Sequence, residues 1–396
     1  MFKHLEPYAG DPILSLNDAF QHDPRPNKVN LSIGVYSDDA GRIPMLDCVR
    51  QAETKMLAEG GARPYLPIEG AATMRTAVQH LLFGDAHEAV RSGRIATLQT
   101  VGSSGALKVG ADFLKRWFPY SALWLSDPTW DNHRAIFEGA GIAVHTYPYY
   151  DRDTGGLNFA AMLTAMRRMP RQSVVLLHAC CHNPTGVDLT RDQWQQLIPV
   201  LREREALAYL DLAYQGFGDG IEEDAFAVRA LASSGLPLVV ANSFSKSMSI
   251  YGERAGTLSV VCANHAEAEL VLGQMRATVR RSYSSPMVHA AGIVSRVLGE
   301  PMLRSQWEAE LTAMRERITR MRRALHNALS AKRPDSDVGY LLSQRGMFSY
   351  TGLGAAQVDR LREDYGVYLV RSGRMCIAGL NGSNVERTAQ ALAAVL

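Results

Sequence analysis

Leu236-Pro-Leu-Val-Val-Ala241 runs into Asn242-Ser-Phe-Ser-Lys-Ser-Met-Ser-Ile-Tyr-Gly-Glu-Arg-Ala-Gly256, and the reading of the chain turns on that junction. The apolar run predicts a buried strand, and the polar stretch predicts the turn at its end. Lys246 sits there among Ser243, Ser245 and Ser247, with Arg254 eight residues on. A lysine at the mouth of a buried strand is partly desolvated, and a nearby arginine disfavours its ammonium form further; both lower its pKa. Such a lysine is a nucleophile toward aldehydes. The hydroxyls and the guanidinium suit an aldehyde that also carries a phosphate. Taken alone, a lysine beside serines also describes a solvated loop.

Working outward, short apolar runs predict strands at 94–100, 122–125, 143–147, 174–178, 208–212, 238–241 and 258–262. Helical patterns fall at 106–117, 131–139, 157–168, 190–204 and 223–234 between them. Interleaving of this kind predicts an α/β fold: a mainly parallel seven-stranded sheet with helices on both faces and its ligand at the carboxyl ends of the strands. Toward the N-terminus, 29–36 reads as a strand, and 47–59 and 71–83 read as helices. Beyond Arg281 the pattern is helical over 287–330, followed by strands at 343–350 and 367–377 around a helix at 355–365, and a last helix at 384–396. This divides the chain into a large domain, 44–313, and a smaller α/β domain formed by 1–43 and 314–396.

Apolar residues make up 46% of the 396 and charged residues 21%, enough for a sizeable core. A net charge of +2 gives no electrostatic reason to expect nucleic acid or an anionic membrane as partner. No apolar run approaches the length of a membrane span, and Met1-Phe-Lys-His-Leu-Glu-Pro7 lacks the apolar segment of a signal peptide. The five cysteines fall in no CxxC spacing, so no metal site or disulfide framework is expected, and a cytoplasmic location fits.

Several strand ends carry candidate chemistry. Gly102-Ser103-Ser104-Gly105, between a strand and a helix, reads as a phosphate cup or as a plain serine cap. Asp211 ends an apolar strand, where a carboxylate must be paired; a protonated pyridine nitrogen is one such partner, and a helix cap is the alternative. Tyr214, three residues on, could donate to a phenolate or fill the core. In His182-Asn-Pro-Thr-Gly186, Asn183 could donate to a ligand oxygen or close an Asx turn. Trp130 could stack on a flat heterocycle, and His133 could support a carboxylate; both also fit a core. Arg280 and Arg374 are candidate carboxylate forks.

Together, Gly34-Val-Tyr36, Ser104-Gly-Ala-Leu107, Asp127-Pro-Thr-Trp130, Cys180-Cys-His-Asn-Pro-Thr-Gly186, Asp211-Leu-Ala-Tyr-Gln-Gly-Phe217, Ser243-Phe-Ser-Lys246, Tyr251-Gly-Glu-Arg254 and Arg374 resemble, in collinear order, the aspartate/aromatic branch of the class I aminotransferases. These enzymes depend on pyridoxal 5'-phosphate (PLP). The resemblance implies the fold-type I PLP architecture and a homodimer with shared active sites. By it, Lys246 forms the Schiff base and shuttles the proton. Asp211 holds the pyridine N–H with His133 behind it, Tyr214 and Asn183 meet the ring oxygen, and Trp130 stacks on the ring. Ser103, Ser104, Ser243, Arg254 and the partner subunit's Tyr65 hold the phosphate. Arg374 clamps the substrate α-carboxylate, helped by Asn183 and the backbone at Gly34, while the partner subunit's Arg280 meets a distal carboxylate. Ile13, Leu14 and Ile33 approach from the small domain.

The implied reaction is ping-pong transfer of an amino group from aromatic (tyrosine, phenylalanine, tryptophan) and dicarboxylic (aspartate, glutamate) amino acids to 2-oxoglutarate or another 2-oxo acid. Ile43, Ser104 and Ser285 resemble aromatic-preferring members, as do the runs 105–116 and 344–352, which look most like the bacterial aromatic (tyrosine) enzymes. Pro64, Val35 and Ser37 depart from that pattern. The alternatives are a dedicated aspartate aminotransferase, a lyase or decarboxylase on the same fold, and an inactive binding protein.

Overall fold

The computed structural model describes residues 1–8, 10, 11 and 13–396. The chain forms two compact units, one of residues 44–316 and one of residues 1–43 with 317–396.

The larger unit is built on a seven-stranded sheet: β1 (Ile95–Val101), β2 (Leu123–Asp127), β3 (Val144–Pro148), β4 (Val174–His178), β5 (Leu207–Leu212), β6 (Leu238–Ser243) and β7 (Ala255–Val261), in the order β1-β7-β6-β5-β4-β2-β3. All neighbours are parallel except β7, which runs antiparallel to both β1 and β6. β4 and β6 are buried along their whole length, which is why they appear in the sequence as unbroken apolar runs and not as alternation. The helices Gly102–Trp117 and His265–Ser282 bury Leu107, Phe113, Leu114, Met275 and Val279 with Leu98, Leu125, Leu176, Tyr209, Val239 and Leu258 of the sheet. Helix starts follow local chemistry: Thr190 and Gln193 form a reciprocal capping box ahead of Arg191–Glu203, and Asn158 and Asn264 cap two others. No helix among the described residues is long and apolar enough to cross a membrane.

In the smaller unit the strands are shorter than predicted. Of 29–36, only Val29–Asn30 pairs, in parallel, with Val367–Tyr368. Beyond it the backbone is satisfied by side chains and single bonds: Ser32 N–H donates to Asn30 Oδ1, and the carbonyl of Leu31 accepts from the Cys376 N–H. Likewise 343–350 keeps only Phe348–Tyr350 as strand, and Tyr340–Ser343 is helical. Phe348–Tyr350 pairs antiparallel with Arg374–Cys376, and the guanidinium of buried Arg322 donates to the carbonyls of Leu341, Gly346 and Phe348 and to Ser349 Oγ. The strand predicted over 367–377 is two short pieces, Val367–Tyr368 and Arg374–Cys376. The helical pattern over 287–330 is two helices, Val288–Gly299 and Pro301–Lys332.

Candidate active site

The carboxyl ends of β2, β4, β5 and β6 form one rim, because His178 pairs with Asp211 and Leu212 with Asn242 in register. β1 ends at the same level. β7 runs the other way, so the residue before it, Arg254, arrives at the rim as well, its carbonyl accepting from the Gly102 N–H at 2.8 Å. The predicted turn 101–105 is instead the first turn of the helix Gly102–Trp117, which begins on a glycine at φ +63° and carries no side-chain cap from Val101. Ser103 is buried in that first turn.

This corner has no room for side chains. A Cβ on Gly102 would stand 2.6 Å from Arg254 Nη2, and one on Gly256 would stand 2.5 Å from the Gly102 carbonyl carbon. Arg254 is oriented by Ser245 Oγ (3.1 Å) and the Tyr251 carbonyl (2.9 Å), and Ser243 Oγ accepts from the Ser245 N–H (3.2 Å). A guanidinium, serine hydroxyls and first-turn N–H groups around a glycine cradle are the donor set for a phosphate.

Lys246 lies in the turn after β6, pinned where the indole N–H of buried Trp307 donates to the Ser247 carbonyl at 2.7 Å. Its Nζ is 5.1 Å from the Tyr214 ring centroid, and Asn183 Nδ2 donates to Tyr214 Oη at 3.4 Å. Asn183 is delivered by a loop whose N–H groups at Cys181 and His182 donate to the Asp188 carboxylate.

Asp211 is buried, and His133 Nε2 donates to its Oδ2 at 3.0 Å; His133 Nδ1 is in turn held by Thr129 Oγ1 at 2.8 Å. Oδ1 of Asp211 has no hydrogen-bond partner among the described residues. Burial alone would raise this carboxyl, but the His133 hydrogen bond and the basic groups around it, His133 first, bring it below the usual carboxylate value. An ionised, buried oxygen without a donor is costly, so the site fits a ligand bringing an N–H, as a protonated pyridine does. Trp130 meets the edge of His133, with ring centroids 5.2 Å apart at 86°.

Other groups on the rim were not singled out from the sequence. His178 is buried, both ring nitrogens lack a hydrogen-bond partner among the described residues, and burial together with the nearby His133 holds it down to about 3. His182 is bonded to Ser126 Oγ (2.9 Å) and Thr185 Oγ1 (2.8 Å) and stacks on Tyr149 with centroids 4.0 Å apart. The position of His178 as the last residue of a buried strand was the available signal.

Tyr65 is 94% exposed, and Arg280, also exposed, donates to Ser284 Oγ. Gly34 and Arg374 belong to the smaller unit. There Arg374 is buried, donates to the Ser32 carbonyl at 2.7 Å, and has the Phe348 ring 4.5 Å from Cζ; a Cβ on Gly34 would come within 2.8 Å of the same ring.

The family Aminotransferase class I and II matches residues 26–392. The aromatic-amino-acid aminotransferase of Escherichia coli (strain K12) is 57% identical over 397 residues, covering all of both chains. The aspartate aminotransferase of Pseudomonas aeruginosa is 50% identical, again over the full length of both. Among solved structures, the aromatic-amino-acid aminotransferase of Burkholderia pseudomallei, covalently bound to pyridoxal phosphate, superposes with a TM-score of 0.98 at 49% identity, covering 100% of this chain and 99% of that one. With the strand-end lysine, the paired buried aspartate and the phosphate cradle on one rim, these likenesses lead to one conclusion: the chain belongs to the class I and II aminotransferases.

Proposed function

We propose that this protein is a PLP-dependent transaminase that takes amino groups from aromatic (tyrosine, phenylalanine, tryptophan) and dicarboxylic (aspartate, glutamate) amino acids and passes them to 2-oxoglutarate or another 2-oxo acid. The observation that carries the reading is Asp211: one oxygen is taken by His133, and the other is buried and has no donor among the described residues, on the rim that also holds Lys246. Bound there, PLP supplies an aldehyde for the lysine amine and a protonated ring that withdraws electrons from the reacting carbon.

The chain's own residues do the rest. Asp211 keeps the proton on the ring nitrogen, and His133 keeps Asp211 ionised and oriented. Ser103, Ser104, Ser243 and Arg254 hold the phosphate, Trp130 covers the ring, and Tyr214 and Asn183 meet its oxygen. Lys246 Nζ takes the proton from the substrate Cα as general base and returns it as general acid. Arg374, which shares the smaller unit with Gly34, receives the substrate α-carboxylate.

A homodimer accounts for the rest: the partner subunit's Tyr65 reaches the phosphate, and the partner subunit's Arg280 meets a distal carboxylate. The exposure of both residues in the single chain supports this. Five buried, unbridged thiols suit the cytoplasm.

Donor profiling with 2-oxoglutarate tests the reading, comparing aspartate, tyrosine, phenylalanine and leucine. Aspartate and both aromatics turn over and leucine lags; negligible turnover of tyrosine and phenylalanine beside aspartate selects a dedicated aspartate aminotransferase, a reading that the Pseudomonas relative also favours.

A further inference from the structure

Behind Tyr214 the loop 214–220 closes around a second buried carboxylate, Asp224, outside the rim. Its Oδ2 accepts from the N–H groups of Gly216 (2.8 Å) and Gly218 (2.9 Å), and its Oδ1 accepts from Asp219 (3.0 Å). The loop can close this tightly only because it is glycine-rich. A Cβ on Gly218 would stand 2.5 Å from Asp224 Oδ1, and Gly216, at φ +93°, would drive one to 2.3 Å from Leu311. From the other side, Arg315 Nη1 donates to the Gly216 carbonyl at 3.0 Å.

The same carboxylate lies close to a second loop. The sulfurs of Cys180 and Cys181 and an Asp224 oxygen all lie within 4.8 Å of one another. Cys181 Sγ also donates to the Tyr214 carbonyl at 3.9 Å. The knot therefore ties the segment leading to Asn183 to the segment carrying Tyr214, and those two side chains meet at 3.4 Å.

We propose that Asp224 is a positioning residue for the transamination site: by collecting the amides of Gly216, Gly218 and Asp219 against the Cys180–Cys181 turn, it sets where Tyr214 Oη and Asn183 Nδ2 stand. This rests on reading Tyr214 as the group that meets the cofactor ring oxygen. An asparagine at 224 keeps the volume but has one acceptor oxygen and two donor hydrogens, so it cannot receive all three amides. At least one N–H then faces an NH2 group, and the loop has to shift.

The test uses the holoenzyme and reads the pH midpoint of the change in cofactor absorption, together with kcat/KM, in Asp224→Asn, Tyr214→Phe and the double variant. Tyr214→Phe shifts the midpoint. Asp224→Asn shifts it in the same direction and lowers kcat/KM about tenfold. In the double variant Asp224→Asn adds less than about a twofold further loss and no further shift, because its effect passes through the hydroxyl already removed. A wild-type midpoint in Asp224→Asn, or an effect that adds in full on Tyr214→Phe, overturns the proposal and leaves Asp224 merely structural. An unshifted midpoint in Tyr214→Phe overturns the assignment of Tyr214, and the proposal with it. Should Asp224→Asn not yield holoenzyme, Arg315→Met loosens the same loop from its other side and decides: a midpoint moved as in Tyr214→Phe supports the proposal, and an unmoved one sinks it.

Discussion

Asp211 and Asp224 are both buried carboxylates in the larger unit, and their surroundings are opposite. Asp224 accepts from the backbone amides of Gly216, Gly218 and Asp219 and, among the described residues, has no ionised partner bonded to it; burial dominates and pushes it up to about 6 against the pull of the backbone amides. Asp211 has a histidine on one oxygen and, among the described residues, no donor on the other, and the His133 hydrogen bond with the basic groups nearby carries it the other way although it is buried too. Saturation by the chain's own backbone marks a carboxylate that shapes a loop. An oxygen left without a donor, inside an array of positive groups, marks one kept for a ligand.

The contrast breaks most visibly in activity. Asp211→Asn removes the ionised acceptor and lowers kcat by about a thousandfold or more, whereas Asp224→Asn costs about tenfold. Stopped-flow half-transamination with aspartate measures both, and equal losses would erase the distinction.

Thermal and urea unfolding of the apoproteins sharpens it in the reverse order. Asp224→Asn leaves an amide N–H unsatisfied and destabilises by about 2 kcal/mol. Asp211→Asn removes a buried charge with one unpartnered oxygen, and its apoprotein stays within about 1 kcal/mol of wild type or exceeds it.

The smallest effect is a difference of pH slopes, at most about 1.4 kcal/mol per pH unit for one proton. His178, held down to about 3 against an ordinary 6.5, is neutral in the folded chain where the unfolded chain takes up a proton. Its contribution is complete above 6.5 and is lost as pH falls toward 3. Asp224, pushed up to about 6 from 3.8, keeps a proton that the unfolded chain releases, so its contribution is complete below 3.8 and lost as pH rises through 6. In apoprotein unfolding between pH 4 and 6, the stability difference between wild type and His178→Phe grows with pH, while that between wild type and Asp224→Asn shrinks. Parallel slopes would refute this account of the two environments.

Much of the rim was legible in the chain because its residues sit at fixed offsets from strand ends. Asp211 closes an apolar run, Lys246 follows another within three residues of its end, and Pro184 and Gly186 announce the turn after Asn183. His178 and Asp224 left weaker marks. A histidine ending a strand looks like any core histidine, and Asp224 stands among acidic residues of a short helix that reads as solvated surface. Only the register of β4 on β5 places His178 beside Asp211, and only the fold of a glycine loop puts three amides on Asp224.

What the amino-acid order determined by itself was local: buried strands from unbroken apolar runs, helices from 3.6-residue periodicity, and turn residues that leave a lysine, an aspartate and an asparagine at strand ends. Tertiary structure alone decided the antiparallel course of β7, which returns Arg254 to the rim, the arginine that bonds the carbonyls of Gly346 and Phe348, and the opposite charge states favoured by two buried aspartates. The reason is physical. Periodicity reports which face of an element avoids water, but strand direction, hydrogen-bond partners and local potential depend on groups brought close from distant parts of the chain.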